Sequence, residues 1–140
     1  MIIKFDGIFV KASIIGRSYP NSNDYWDGNW LKAEIEANTY DFKGKFRTNL
    51  RTDDFQQFYQ NLLKIQKNET NQIEFTTMEE GLHLIGKLDI TGNINWNVAA
   101  KSEFGNKLLF NIETDNAYIV SIIKDVVKIL NEYPVIGDIN

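Results

Sequence analysis

Apolar and polar residues alternate along most of the chain, which is the pattern of strands with one buried face. The alternation predicts strands over residues 7–17, 30–40, 42–50, 72–77, 81–91, 93–102 and 107–113. Glycine-containing segments typical of hairpin turns join the later strands, at 79–81, 91–93 and 104–106. Strands joined by such short turns run antiparallel. In the third strand, the pattern turns Phe42, Phe46 and Leu50 inward.

Two segments instead repeat their apolar residues at helical spacing. The first is predicted to begin at Thr52, a good N-cap followed by two aspartates that suit the positive end of the helix dipole, and to end within 67–71. The second is predicted to begin at Thr114–Asp115 and to end before Pro134. The two starts are alike, because residues 45–54 resemble 107–116, and we interpret them as one supersecondary unit used twice.

Burial of these apolar faces predicts an α+β fold in two layers. One antiparallel sheet of about seven strands would carry both helices on one face, in the order βββ-α-ββββ-α. A chain of 140 residues is expected to form a single domain over 1–140. The uncovered face of the sheet would expose a candidate partner-binding patch of Phe9, Ile15, Ile85 and Leu109. A strongly twisted sheet that hides some of these side chains is the alternative.

A stripe of charge along the third strand is interpreted as structural. The basic residues at alternating positions are Lys43, Lys45, Arg47 and Arg51. They share one face of a strand, and Glu34 and Glu36 lie on the matching face of the preceding strand. Cross-strand ion pairs explain this pattern without any ligand.

Composition narrows the functional classes. The formal net charge is −4, which argues against direct nucleic-acid binding. It is compatible with a basic protein partner, although the favoured interpretation is that a mild negative charge keeps the protein in solution. The chain has no cysteine and one histidine, so we expect no disulfide, no thiolate zinc site, no other metal and no cofactor. No apolar run is long enough to span a bilayer, and the N-terminus lacks the pattern of a signal peptide. The sequence therefore predicts a cytoplasmic protein without a membrane partner.

No motif predicts catalysis. His83 lies within a predicted strand. A catalytic histidine needs an orienting carboxylate and a nucleophile, and the sequence spacing implies neither, so we interpret His83 as structural or surface-exposed. Phosphate-binding glycine motifs are absent from the sequence. A calcium loop centred on Gly28 would need Tyr25 as a ligand and Glu34 inside a strand, which excludes an EF-hand.

The segment from Tyr19 to Trp30 is the most distinctive, because it sets large aromatic rings among turn-forming residues. As an interface loop it would contact a partner through Asp24 and Tyr25. As a structural loop its tryptophans would cover the edge of the core while Asp27 and Asn29 bond the loop backbone. We favour the structural interpretation, since Trp30 leads directly into a strand.

This segment resembles a known family. Residues 24–31, preceded by Tyr19-Pro20, are similar to the Trp-Asp-x-Asn-Trp-Leu signature of WapI-like bacterial immunity proteins. The signature positions are Trp26, Asp27, Asn29 and Trp30. The similarity runs from about residue 5 to residue 137 and includes the Thr52–Lys67 helix and the Leu108–Tyr118 segment. Asn116 departs from the glutamine typical of the family.

The resemblance implies inhibition by binding. Such proteins block the C-terminal domain of a cognate bacterial toxin, often a nuclease, without catalysis or a cofactor. Because toxins vary while the signature recurs, the signature need not contact the toxin. Two other classes stay open: a small-ligand or carbohydrate-binding module that stacks its ligand on Tyr25, Trp26 and Trp30, and an enzyme with a carboxylate site.

Overall fold

The computed structural model describes residues 1–139. The strands are β1 Ile2–Phe5, β2 Ile8–Arg17, β3 Trp30–Asn38, β4 Lys43–Arg51, β5 Gln72–Phe75, β6 Leu82–Leu88, β7 Asn93–Lys101 and β8 Lys107–Asp115. The helices are α1 Tyr25–Gly28, α2 Thr52–Gln66 and α3 Ile119–Glu132, with a 3₁₀ turn at Asn116–Tyr118 before α3. The predicted α+β class is confirmed.

The strands form two antiparallel sheets rather than the single sheet of about seven strands that was predicted. The first has the order β1-β2-β3-β4 and the second β5-β6-β7-β8, so neighbours in the chain are neighbours in space. Helix α2 separates β4 from β5 and packs against β5. The second set of hairpins therefore starts a new sheet instead of extending the edge of the first. Each half of the chain thus ends its four strands with a long helix.

Strand β1 and helix α1 were missed by the sequence pattern. β1 is joined to β2 by Asp6 and Gly7, whose φ angles of 51° and 86° are both positive. Positive φ at both central residues is the geometry of a two-residue type I′ hairpin, for which Asp-Gly is a preferred sequence. That dipeptide is the signal that predicts β1. Helix α1 is a single turn within the region predicted as loop.

One hydrophobic core lies between the inner faces of both sheets and the apolar stripes of α2 and α3. Aromatic rings join its parts: Phe75 of β5 lies 5.1 Å from Phe55 and 5.2 Å from Phe58 between ring centroids. Phe58 also faces Trp96 of the second sheet at 6.4 Å. Leu50 is buried and Phe46 packs against the core, as predicted. Phe42 was predicted inward but is 65% exposed, because β4 begins only at Lys43.

Helix α2 begins at Thr52, whereas α3 begins later than predicted. Thr52 is the first residue of α2 rather than its cap, and its buried hydroxyl has no hydrogen-bond partner among residues 1–139. The Asp54 carboxylate instead accepts from the Arg51 backbone N–H at 3.2 Å. Before α3, strand β8 continues to Asp115. The Asp115 carboxylate accepts from the Tyr118 N–H at 2.9 Å and so starts the 3₁₀ turn that precedes α3.

The two sheets meet where β1 contacts β8, and α3 also contacts β1 at this junction. The Tyr118 hydroxyl donates to the carbonyl of Ile2 at 3.0 Å, and the Ile2 N–H donates to an Asp125 carboxylate oxygen at 3.0 Å. These bonds connect the first strand to the last helix. The missed strand therefore holds the two halves of the fold together.

The predicted charge stripe lies on the outer face of the first sheet, with one exception. Glu34 is paired with Lys45 at 3.6 Å and with Arg47 at 3.9 Å, both across strands. Cross-strand ion pairing is thus confirmed for this part of the stripe. Arg51 was placed in the same stripe, and this is wrong: its side chain is only 1% exposed.

Gly86 provides a test of the second sheet's packing. A Cβ at this position would lie 2.8 Å from the Trp96 ring, whereas one at Gly44 would meet nothing within 4 Å. We expect Gly86→Ala to lower the free energy of unfolding by about 1–3 kcal/mol, because the indole must shift in a packed core. The control Gly44→Ala should change it by less than about 0.5 kcal/mol. Urea denaturation measures both, and equal losses would contradict the packing of Gly86 under the indole.

Candidate functional site

The aromatic segment predicted from the sequence surrounds the buried side chain of Arg51. Its guanidinium pairs with an Asp53 carboxylate oxygen at 2.9 Å. It also donates to the backbone carbonyls of Trp26 at 2.6 Å and Tyr25 at 3.0 Å. A buried charge is tolerated only when it is paired and hydrogen-bonded, and these three contacts meet that condition.

Aromatic rings complete this enclosure. The Arg51 Cζ atom lies 5.0 Å from the ring centroid of Trp30, 5.3 Å from Tyr25 and 5.6 Å from Trp26. At such distances a guanidinium is attracted to the electron-rich faces of the rings. Tyr25 and Trp26 meet edge to face at 5.2 Å. We call the group of Tyr25, Trp26, Asn29, Trp30 and Arg51 the signature cluster.

Asn29 links this cluster to the C-terminal segment. Its side chain is fully buried, and its amide nitrogen donates to the carbonyls of Tyr25 and Ile136, both at 2.9 Å. Its amide oxygen accepts from the Ile136 N–H at 3.0 Å. The Asn29 carbonyl accepts from the Thr52 N–H at 3.0 Å. One asparagine therefore joins the β2–β3 loop, the start of α2 and a segment 107 residues away in the chain.

A second arginine and a glycine hold the same C-terminal segment. Arg17, at the end of β2, donates to the carbonyls of Gly28 at 2.7 Å and Pro134 at 2.5 Å. Gly28 is buried against Ile136, so that a Cβ here would overlap the Ile136 side chain and lie 3.0 Å from the Ser22 carbonyl. The glycine of this loop is thus required by a close approach of side chain and backbone.

The predicted roles of the loop residues are corrected in detail. Asp24, rather than Asp27, bonds the loop backbone: its carboxylate accepts from the N–H groups of Trp26 and Asp27, both at 3.0 Å, and caps α1. Asp27 is exposed, and its carboxylate makes no hydrogen bond within the part of the chain that is described. Trp26 remains 51% exposed, so its ring covers a charge rather than the edge of the apolar core.

The sequence missed Arg51 as the centre of this cluster. The signal was present: Asn49 breaks the run of alternating basic residues before Arg51, and Asp53 and Asp54 follow at once. The register pairs Arg51 directly with Trp30. An arginine opposite a tryptophan at the end of a strand and beside two carboxylates indicates a paired, ring-covered side chain.

Two neighbours of Arg51 have raised pKa values, and burial is the largest cause in both. Burial, and then the adjacent Asp53 charge, raise the pKa of Asp54 to about 7, against a smaller opposing effect of Arg51. Burial and the hydrogen bond from its hydroxyl to Asp53, at 3.0 Å, raise the pKa of Tyr25.

The predicted partner-binding patch on one uncovered sheet face is divided by the fold. Phe9 and Ile15 belong to β2 of the first sheet, where Ile15 is the extra residue of a β-bulge and 48% exposed. Ile85 and Leu109 belong to the second sheet, where they line a shallow depression of about 250 Å³. The other two candidates, Asp24 and Tyr25, are engaged in the α1 cap and the signature cluster.

His83 lies on the outer face of the second sheet. Its Nε2 is 2.6 Å from a Glu74 carboxylate oxygen, and both side chains are partly exposed. A second depression, of about 310 Å³, adjoins this pair and is also lined by Lys101 and Lys107. Within residues 1–139 there is no group of three or more His, Asp or Glu side chains placed to hold a metal ion. None of the helices in that range is long and apolar enough to cross a membrane.

Comparison with known proteins identifies the family. Residues 1–134 match the family model described as "Immunity protein WapI-like family", so the chain belongs to that family and the resemblance seen at Trp26–Leu31 is confirmed. No curated protein matches the sequence. Among solved structures, the fold is similar to a chain in the crystal structures of MRP1/MRP2 from Trypanosoma brucei, with a TM-score of 0.46 and 8% sequence identity. The match covers 88% of the present chain and 84% of the MRP1/MRP2 chain.

The buried guanidinium can be tested by a matched pair of substitutions. Arg51→Lys keeps the charge but cannot reach Asp53 and both loop carbonyls at once, so we expect the free energy of unfolding to fall by about 2–4 kcal/mol. Arg47→Lys is the control, because the Arg47 side chain is 72% exposed. It should change the free energy by less than about 0.5 kcal/mol. Similar values for the two variants in urea denaturation would be inconsistent with this role of Arg51.

Asp54 gives a pH dependence with a defined sign. Its pKa is raised in the folded protein from an ordinary value of 3.8 to about 7. The fold therefore favours the protonated form, and the stability it adds is complete below pH 4 and lost as the pH rises through 7. Relative to Asp54→Asn, wild type should lose about 1–3 kcal/mol of unfolding free energy between pH 4.5 and pH 8.

The control for this pH series is Asp41→Asn, which removes one exposed carboxylate in the β3–β4 turn. Denaturant titrations of the three proteins across that range give the comparison. If the difference in unfolding free energy between wild type and Asp54→Asn is the same at pH 4.5 and at pH 8, the Asp54 carboxyl does not titrate between these values.

Proposed function

We propose that this member of the WapI-like immunity protein family binds the C-terminal domain of a cognate bacterial toxin and inhibits it by occlusion, without catalysis. The observation that carries the proposal is the family match over residues 1–134. The inhibitor would act in the cytoplasm of the cell that produces the toxin. We favour a nuclease as the target class, because nucleases bind phosphates through basic surfaces and this chain is acidic, with a net charge of −4.

The charge of the chain supports this choice of target. With a net charge of −4, the protein would attract a basic nuclease domain and accelerate the encounter. Acidic side chains over a nuclease cleft also occupy the position of nucleic-acid phosphates. Occlusion needs only surface area and complementary charge, so no reactive group is required of the inhibitor.

The alternative function, in which three aromatic rings stack against a carbohydrate or other small ligand, is disfavoured because these rings already contact Arg51. Tyr25, Trp26 and Trp30 all lie within 5.6 Å of the Arg51 Cζ atom, counted to their ring centroids. A sugar stacking on the ring faces turned toward Arg51 would have to displace a buried guanidinium from its partners, which is costly. We therefore propose a stabilising role for the signature residues and a toxin contact elsewhere on the surface.

A stoichiometric titration distinguishes an inhibitor from an enzyme. A candidate toxin is first chosen by searching the genes that neighbour this one. Its purified C-terminal domain is mixed with increasing amounts of the protein, and the remaining toxin activity is measured. We expect inhibition to be complete near one equivalent, to be immediate, and to be reversed when the complex is denatured and the toxin refolded.

Two results would overturn the proposal. Time-dependent inactivation of the toxin by much less than one equivalent indicates catalysis. Full toxin activity in the presence of a large excess of folded protein excludes inhibition of that toxin altogether.

A further inference from the structure

Exposed apolar side chains gather at the end of the molecule away from the signature cluster. The β2–β3 loop that carries the cluster lies at one end of the first sheet. The β1–β2 and β3–β4 turns lie at the other end of the same antiparallel strands. These turns present Phe5, Tyr40 and Phe42, which are 61%, 71% and 65% exposed.

A turn of the second sheet reaches the same end. Phe5 lines a depression of about 340 Å³ together with Asn93, Glu113 and Asp115, because β1 contacts β8. Asn93 closes the β6–β7 turn, whose Ile90 side chain is fully exposed. We call the exposed apolar residues of these three turns the hairpin tip, formed by Phe5, Tyr40, Phe42 and Ile90.

Hydrogen bonds order the turns that carry the hairpin tip. The Tyr40 hydroxyl donates to the carbonyl and to a carboxylate oxygen of Asp6, both at 2.9 Å, which joins two turns of the first sheet. The Asn38 amide donates to the Gly7 carbonyl at 2.9 Å. In the second sheet, the Asp89 carboxylate accepts from the N–H groups of Thr91 at 2.9 Å and of Asn93 at 3.0 Å. Such preorganised turns lose little conformational entropy on binding.

The surroundings of the hairpin tip are acidic. The carboxylates on these turns and strand ends are Asp6, Asp41, Asp89, Glu113 and Asp115, and the lysines are Lys4, Lys43 and Lys87, so carboxylates outnumber lysines by two. Hydrogen bonds from Thr91 and Asn93 lower the pKa of Asp89, so this carboxylate stays ionised at neutral pH. Aromatic anchors within a field of one sign are typical of the centre of a binding surface.

We infer that the hairpin tip is the surface that contacts the toxin, with its aromatic side chains entering a basic cleft of the toxin domain and its carboxylates pairing with the rim of that cleft. This inference rests on the proposed function and specifies its surface. The occupant is a basic protein surface, because a field of carboxylates repels acidic partners and nucleic acid alike.

Matched substitutions test the surface. The probe is the catalytically inactivated C-terminal domain of the toxin used in the inhibition titration, and binding is measured by surface plasmon resonance. Phe42→Ala and Ile90→Ala should each weaken binding by about tenfold or more. Asp41→Lys should slow association at low salt and have little effect at high salt. Leu109→Ala is the control, because Leu109 is 66% exposed but lies on the outer face of the second sheet.

Thermal unfolding of all four variants establishes that they fold as wild type does, since every mutated side chain is exposed. If wild type binds the toxin and the hairpin-tip variants bind equally well, the tip inference is overturned and the proposed function stands. If Leu109→Ala alone weakens binding, the contact lies on the outer face of the second sheet and the inference is again overturned. If folded wild type does not bind, the inference and the proposed function both fail.

Discussion

The rest of the structure depends on how the charge of Arg51 is accommodated inside the protein. A guanidinium that is 1% exposed must find an acidic partner and hydrogen-bond acceptors, and it finds them in Asp53 and in the carbonyls of Tyr25 and Trp26. The β2–β3 loop therefore has to fold back over the end of β4. Once the loop is there, Asn29 is in position to bind the C-terminal segment at Ile136, and three distant parts of the chain become one unit.

This arrangement explains why a residue pattern that resembles a binding motif contributes to stability. The aromatic rings of the signature face a side chain of their own protein, and Asn29 is saturated by backbone groups. The opposite end of the molecule differs, because the side chains of Tyr40 and Phe42 are mostly exposed and that of Ile90 is fully exposed. The residues that enclose Arg51 are therefore separate from the exposed apolar residues of the hairpin tip.

Much of the fold could be predicted from periodicity, and the errors have physical causes. The alternation that predicted strands over residues 7–17 and 30–40 agrees with the burial of Val10, Ala12 and Leu31, since a side chain's face depends only on its position along the strand. The inward orientation predicted for Phe42 was wrong because the pattern does not say where a turn ends and a strand begins. The likeness of residues 45–54 to 107–116 corresponds to two halves that each end four strands with a long helix.

The sequence by itself determined seven of the strands, the two long helices, the α+β class and the family, because these follow from local periodicity and from one contiguous motif, Trp26 to Leu31. Only the tertiary structure decided that the strands divide into two sheets, that Arg51 turns inward, and that the apolar turns of both sheets meet at one end. Each of these depends on contacts between residues far apart in the chain, such as Asn29 with Ile136, 107 residues away. Local patterns carry no record of such contacts, since they arise only when the complete core is packed.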